Sequence, residues 1–244
     1  LDEPARKLWL LVRDQIADTP AAEQDDQRVE RILADRQTRS QAFFASSAGQ
    51  WDKLRGELFG DRFDLRAIAA LLDPTWAFGD LGCGTGQLAE ALGPFVEHVV
   101  AVDNSTEMLK AARKRLGRFD NVEVKRGTLE SLPIEDRTLD AAAVVLVLHH
   151  LANPAAALAE ATRTLKPGGR LLVVDMVRHD HREYQQTMGH VWMGFDAEQM
   201  QAWLDEAGCE SMQYTELPAE PKARGPGLFA ATARRPADPV GTNK

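Results

Sequence analysis

Phe78–Gln87 reads FGDLGCGTGQ, and the reading of this stretch decides the fold. Gly82, Gly84 and Gly86 fall at alternate positions directly after the apolar "TWAF". "QLAEALGPF" follows with helical character. A short strand that turns on glycines into a helix opens a doubly wound α/β sheet, and such turns hold a ligand against bare backbone.

The pattern continues outward from the turn. "HVVAVD", "VEVKRG", "LDAAAVVLVL" and "RLLVVDMV" read as strands. "STEMLKAARKRLGRF" and "NPAAALAEATRTL" read as the helices between them, the second with Asn153 as N-cap, Pro154 in its first turn and "KPGG" as its stop. "DLRAIAALL" is helical ahead of the first strand. After a polar loop, "DAEQMQAWLDEAG" is a helix with a capping-box pattern at Asp196 and Gln199, and "MQYTEL" and "LFAATARR" are two last strands. Apolar strands alternating with helices predict a mostly parallel sheet covered on both faces. Its ligands bind at the carboxyl ends of the strands, where strand order reverses.

Residues 1–60 differ. Leu8, Leu11, Val12 and Ile16 recur at helical spacing, "DTPAA" interrupts, and a very polar helix runs from about Ala22 to Ser46. This region is expected to be a helical arm, serving as a lid or as a dimer contact. "GQWDKLRGELFG" reads as a junction. The expected organisation is an arm over 1–60, an α/β domain over 61–235 and a disordered tail over 236–244.

The net charge of −8 argues against a nucleic-acid-binding surface. The one basic cluster, Lys110, Arg113, Lys114, Arg115 and Arg118, reads as a solvated helix face. The longest apolar run, Ala141–Leu148, is too short to span a bilayer, so no membrane partner is expected. Two cysteines, Cys83 and Cys209, imply no disulfide framework and point to a reducing cytoplasm. The chain begins at Leu1 and not Met, which leaves room for a segment in front.

Which ligand the turn holds follows from its details. A dinucleotide fingerprint is G-x-G-x-x-G, whereas here Gln87 stands where the third glycine belongs. A Walker loop is excluded because no Gly-Lys-Ser/Thr follows. Asp80, two residues before Gly82, is awkward for a pyrophosphate and welcome for a cation. Asp103, ending the second strand, is placed for ribose hydroxyls. S-adenosylmethionine, with its ammonium and sulfonium, meets these requirements. Each carboxylate could instead cap the next helix.

"DLGCGTG", "VVAVDNSTEML", "GTLESLP", "LDAAAVVLVLHHL" and "LKPGGRLLVVD", in that order, resemble the class I S-adenosylmethionine-dependent methyltransferases of the ubiquinone/menaquinone-biosynthesis (UbiE-like) type. The resemblance covers roughly Asp61–Arg235. It implies a seven-stranded Rossmann-like sheet with an antiparallel last strand. It implies that Asp80, Gly82, Cys83, Gly84 and Gly86 hold the methionine end, that Asp103 binds the ribose, and that Asn104 and Met108 flank the adenine. Thr128, Leu129 and Val145 complete the expected cofactor wall, but with departures. The family usually has an acidic residue where Thr128 stands, and a polar one where Val145 and Leu146 stand. A narrower similarity, carried by "RSQAFFASSAGQWDKLR" and "YQQTMGHVWMGF", is to the methyltransferase halves of proteins that begin with an arsenic-repressor-type (ArsR) winged helix. No winged helix is visible in this chain.

The acceptor side is less explicit. His149 and His150 are candidate bases, although "LHHL" also reads as a packing element. His150, Tyr184, His190 and Trp192 are expected to line a substrate pocket, and Phe195 is a further candidate. His179, Asp180 and His181 lie too close in sequence for a convincing metal site, so no metal is expected. Arsenite methylation is discounted for want of thiols. Two readings stand: an enzyme methylating a small molecule, and a domain that senses S-adenosylmethionine or S-adenosylhomocysteine for a regulator. A nicotinamide oxidoreductase comes third. A homodimer through the arm is the expected assembly.

Overall fold

A computed structural model describes residues 2–17, 19–60, 63–181, 183–219 and 223–238. The chain divides into two compact units, Leu1–Phe63 and Asp64–Lys244.

The first unit is helical: α1 (Glu3–Ile16), α2 (Pro20–Ser47) and α3 (Trp51–Phe59). Asp2 caps α1 by accepting from the Ala5 N–H at 3.1 Å. α3 occupies the stretch read above as a junction. Its charged residues mask the helical spacing of Trp51, Leu54, Leu58 and Phe59. None of the three helices buries a residue, and Leu8, Leu11, Val29 and Leu33 are exposed. Local order comes from an aromatic group in which Phe44 and Trp51 stand edge to face at 5.1 Å.

The second unit runs α4 (Phe63–Ile68), β1 (Ala77–Leu81), α5 (Gln87–Leu92), β2 (His98–Asp103), α6 (Thr106–Leu116), β3 (Val122–Arg126), β4 (Leu139–Val145), α7 (Pro154–Thr164), β5 (Leu165–Met176), α8 (Glu183–Met188), α9 (Ala197–Glu206), β6 (Glu210–Glu216) and β7 (Leu228–Arg234). The strands form one seven-stranded sheet in the order β3-β2-β1-β4-β5-β7-β6. β7 runs antiparallel to both neighbours, and the other pairings are parallel. The chain leaves β1 toward β2 and β3, then returns to place β4 on the other side. The strand order therefore reverses between β1 and β4, at the glycine turn.

Both faces carry a core. Leu109, Ala112 and Leu116 of α6 pack with Phe78, Val99 and Ala143 on one side. Leu158, Met200, Leu204, Phe195 and Phe229 fill the other. β4 is buried along almost its whole length, as a central parallel strand must be.

Three local outcomes differ from expectation. "KPGG" does not lie between elements but inside β5. The register moves from Leu139↔Leu165 to Ala141↔Arg170, so Lys166–Gly169 bulges out, with Gly168 at φ 79°. α8 forms within the stretch read as a polar loop. At α9, Asp196 accepts from the Gln199 N–H at 2.9 Å, but the Gln199 side chain accepts from Arg178 and does not complete a capping box. Of the expected tail, residues 239–244 lie outside the described residues, and the Pro236 carbonyl accepts from the Gly168 N–H. No helix among the described residues is long and apolar enough to cross a membrane.

Candidate active site

The glycine turn is tied to β2 and open in front. The Gly82 and Cys83 N–H groups both donate to the Val102 carbonyl, at 2.8 and 2.9 Å, and the Gly86 N–H closes the turn on the Cys83 carbonyl. Gly84 and Gly86 have φ of 53° and 79°, the left-handed region that glycine occupies without a Cβ penalty. Their surroundings are opposite. A Cβ on Gly86 would meet Leu116 Cδ1 at 2.8 Å, whereas one on Gly84 would meet nothing within 4 Å. Gly86 therefore lets α6 pack against the turn, and Gly84 fronts open space. The Cys83 side chain is buried in the core. Burial, reinforced by the negative charges of Asp80 and Asp103, pushes its thiol up to about 12.

Two carboxylates frame the turn. Asp80, 3% exposed at the end of β1, accepts from the Ala89 N–H at 3.0 Å. Burial pushes its pKa up to about 7; the Ala89 hydrogen bond opposes this and the Asp103 charge adds to it. Asp103 accepts from the Gly84 N–H at 2.9 Å and from the Ser105 N–H at 2.8 Å. Both acids thus serve the backbone: Asp80 binds the first turn of α5, whereas α6 is capped by Ser105 and Asp103 instead ties the glycine turn to the end of β2. Neither is exhausted: a carboxylate has about four acceptor sites.

A second cluster stands at the end of the neighbouring strand. Leu146 follows β4 in the left-handed region, φ 53°, which costs a residue with a side chain roughly 1–2 kcal/mol. The turn places Val147 against Gly82, where a Cβ would meet Val147 Cγ1 at 2.9 Å, so this strand end abuts the glycine turn. Leu148–His150 then form a 3-10 turn. His149 is buried, and its Nδ1 lies 2.8 Å from the fully buried Asp175. The chain leaves β5 and rejoins its end at the Val177–Phe195 bridge. On the way back, Val191 and Trp192 donate their N–H groups to the His149 carbonyl at 2.9 and 3.1 Å. His190 is thereby held over the pair. Its ring lies 4.4 Å from His149 and 5.2 Å from His150, and the His149 and His150 rings are 4.1 Å apart. Tyr184 stands 5.5 Å from His190. Burial first, and then the neighbouring histidines, hold His150 and His190 below the ordinary imidazole range.

A family profile described as "Methyltransferase domain" matches residues 79–173. A demethylmenaquinone methyltransferase of Clavibacter sepedonicus is 31% identical over 168 residues, covering 57% of this chain and 68% of that protein. The chain belongs to the class I S-adenosylmethionine-dependent methyltransferases. A 37.1 kDa protein of transposon TN4556 from Streptomyces fradiae is 47% identical over 98 residues, which is 38% of this methyltransferase chain and 28% of that protein's length. Among solved structures, YcgJ of Bacillus subtilis shares the fold, with a TM-score of 0.60 and 22% identity over 72% of this chain and 98% of that one. The narrower resemblance to winged-helix fusion proteins finds no support in these matches.

The family's cofactor is S-adenosylmethionine, and this methyltransferase has residues that fit it. A buried acid at the mouth of the turn suits a cationic ammonium, and the open space before Gly84 is the cradle that a side chain would fill. Asn104, Met108 and Thr128 are exposed near the ends of β2 and β3. Leu129 stands apart from these. Its side chain is buried among Val102, Leu132 and Ile134, which leaves only its backbone to face a ligand. Val145 is half-buried at the end of β4.

Trp192 is half-buried. Its Nε1–H donates to the Leu151 carbonyl at 2.9 Å, and its ring packs against Phe195 and Trp203, so it braces the loop that carries His190. Phe195 is fully buried in that core. Asp175 was missed altogether. In the sequence it is one acid at the end of an apolar strand, and only the parallel pairing of β4 with β5 brings it to His149. His149, His150 and His190 were expected on one acceptor wall, but the convergence of a ring nitrogen from each was not legible, because His190 is some forty residues from the other two.

Proposed function

We propose that this chain is an enzyme that transfers a methyl group from S-adenosylmethionine to a small-molecule acceptor by direct in-line displacement. The observation that carries the reading is the buried Asp80 carboxylate at the end of β1, followed by a turn in which Gly84 fronts open space. Asp80 with the turn residues 82–86 would hold the methionine end, and Asp103 the ribose. Asn104, Met108, Thr128, the Leu129 backbone and Val145 would border the adenine. Bound there, the cofactor supplies a methyl group already activated by the sulfonium charge. The protein's task is then alignment and exclusion of water. His149, His150, His190 and Tyr184, at the adjoining strand end, are the acceptor wall of this reading, with S-adenosylhomocysteine as the product released.

Calorimetry tests the cofactor half. S-adenosylhomocysteine is expected to bind with one-to-one stoichiometry and NAD not at all; the reverse result would reject the reading. The acceptor half is tested by release of label from methyl-labelled S-adenosylmethionine in fractionated metabolite extract. Label that stays on the cofactor in every fraction would reject turnover. For the assembly, we propose a homodimer through the arm, on the strength of the exposed Leu8, Leu11, Val12 and Ile16. Light scattering is expected to give a dimer for the full chain and a monomer for residues 61–244.

A further inference from the structure

We propose that His149, His150 and His190 form a three-histidine site for a divalent transition-metal ion of the zinc class, with at least one coordination position left for an exogenous ligand. One ring nitrogen from each histidine lies within 4.8 Å of the other two. The three come from two chain segments that are locked together by the backbone bonds of Val191 and Trp192 to the His149 carbonyl.

Two further observations point to an ion. The first is the 2.8 Å pairing of His149 Nδ1 with the Asp175 carboxylate. With its proton at Nδ1 and directed at this carboxylate, His149 keeps the lone pair of Nε2 free for a ligand. This is the arrangement in which histidine most often ligates a metal. The second is His190 Nδ1, which is buried and has no hydrogen-bond partner. Leaving such an atom unsatisfied costs a folded protein free energy that a metal bond would recover. A proton-relay role would need one histidine and explains neither the convergence nor that orphaned nitrogen.

The donor set selects the ion. Three imidazoles without a carboxylate ligand suit zinc, cobalt, nickel or copper, and not magnesium or calcium. Zinc–nitrogen bonds of about 2.0–2.1 Å place tetrahedral ligand atoms about 3.3 Å apart, inside the 4.8 Å that bounds the separations of the three ring nitrogens. His150 is exposed and provides the way in. Three protein ligands are the number that catalytic zinc sites use, the remaining position taking water or substrate. That the exogenous ligand is an oxygen or sulfur of the methyl acceptor rests on the methyl-transfer reading; the metal site itself does not.

The test is titration of the untagged full chain with cobalt(II), followed by zinc competition. The expected result is one equivalent bound, with the visible absorption of a four-coordinate cobalt ion. Asp175→Asn should weaken binding by about 10–100-fold, and His150→Ala and His190→Ala by more. His150→Ala, at an exposed position, keeps the test valid if His190→Ala fails to fold. Absence of a stoichiometric site in the unaltered chain overturns the proposal. So does a His181→Ala variant that loses as much affinity as His150→Ala, since His181 is an exposed histidine outside the cluster that would report adventitious binding. S-adenosylhomocysteine calorimetry on the same samples separates the two readings. Retained cobalt with no nucleoside binding sinks the methyl-transfer reading and leaves the metal site standing.

Discussion

The glycine turn and the histidine cluster stand at the ends of adjacent parallel strands, yet they are built from opposite materials. The turn is mostly backbone: five consecutive residues, three of them glycine, with its acids donating nothing and accepting from N–H groups. The cluster is mostly side chain, drawn from the ends of β4 and β5 and from a loop that returns across them. Backbone recognition depends on chain conformation and tolerates little change. Side-chain recognition can be altered one residue at a time without disturbing the fold. One framework can thus keep a common cofactor beside an acceptor wall that varies.

The sharpest way to break this division is to remove one group from each side. Asp80→Ala is expected to weaken S-adenosylhomocysteine binding by about 30-fold or more, since truncating one partner of a buried charge pair costs about 2–5 kcal/mol. His150→Ala is expected to leave that affinity within about twofold. Calorimetry of both variants decides, and an equal loss from the two would mean the sites are not separable.

Within the turn, Gly84 and Gly86 should fail differently. Gly86→Ala drives a methyl into Leu116 and keeps a left-handed φ, so a loss of roughly 2–4 kcal/mol in folding stability is expected. Gly84→Ala bears only the conformational cost, about 1–2 kcal/mol, but places its methyl group in the cradle and should weaken cofactor binding. Thermal melts with and without S-adenosylhomocysteine would reveal the crossover. Matching behaviour in the two variants would remove the distinction between a packing glycine and a ligand glycine.

The smallest effect expected is a pH dependence. Asp80 holds its proton more tightly folded, at about 7, than its ordinary 3.8. Its contribution to stability is therefore complete below about pH 4 and is lost as pH rises through about 7. Between pH 6 and 8 the ligand-free chain should lose stability, while its affinity for the cationic ammonium should rise. Asp80→Asn should flatten both trends.

Legibility followed the same division. The glycine spacing, Asp80, Gln87 and Asp103 lie within one βαβ unit, where sequence distance and spatial distance nearly coincide. The strands and the longer helices of the second unit were equally readable, because burial of an apolar face imposes a period on the sequence. α3 was missed because it is short and its apolar spacing is diluted by charge. The burial of the Leu129 side chain was not legible, because a position near a ligand in sequence can still turn its side chain into the core. His179 and His181 drew attention as a metal pair only because they are neighbours along the chain.

From the sequence alone came the doubly wound sheet, the antiparallel last strand through the family resemblance, and a turn suited to a cationic nucleoside. These are consequences of local spacing and of apolar periodicity, which need no partner distant in the chain. Only the tertiary structure brought Asp175 behind His149, carried His190 over His149 and His150, and withdrew Trp192 into the packing. Each of those depends on which strands become neighbours and on where a loop is tied down. The physical reason is that parallel strands pair residues separated by a whole crossover, so side-chain sites at their ends have no short-range signature.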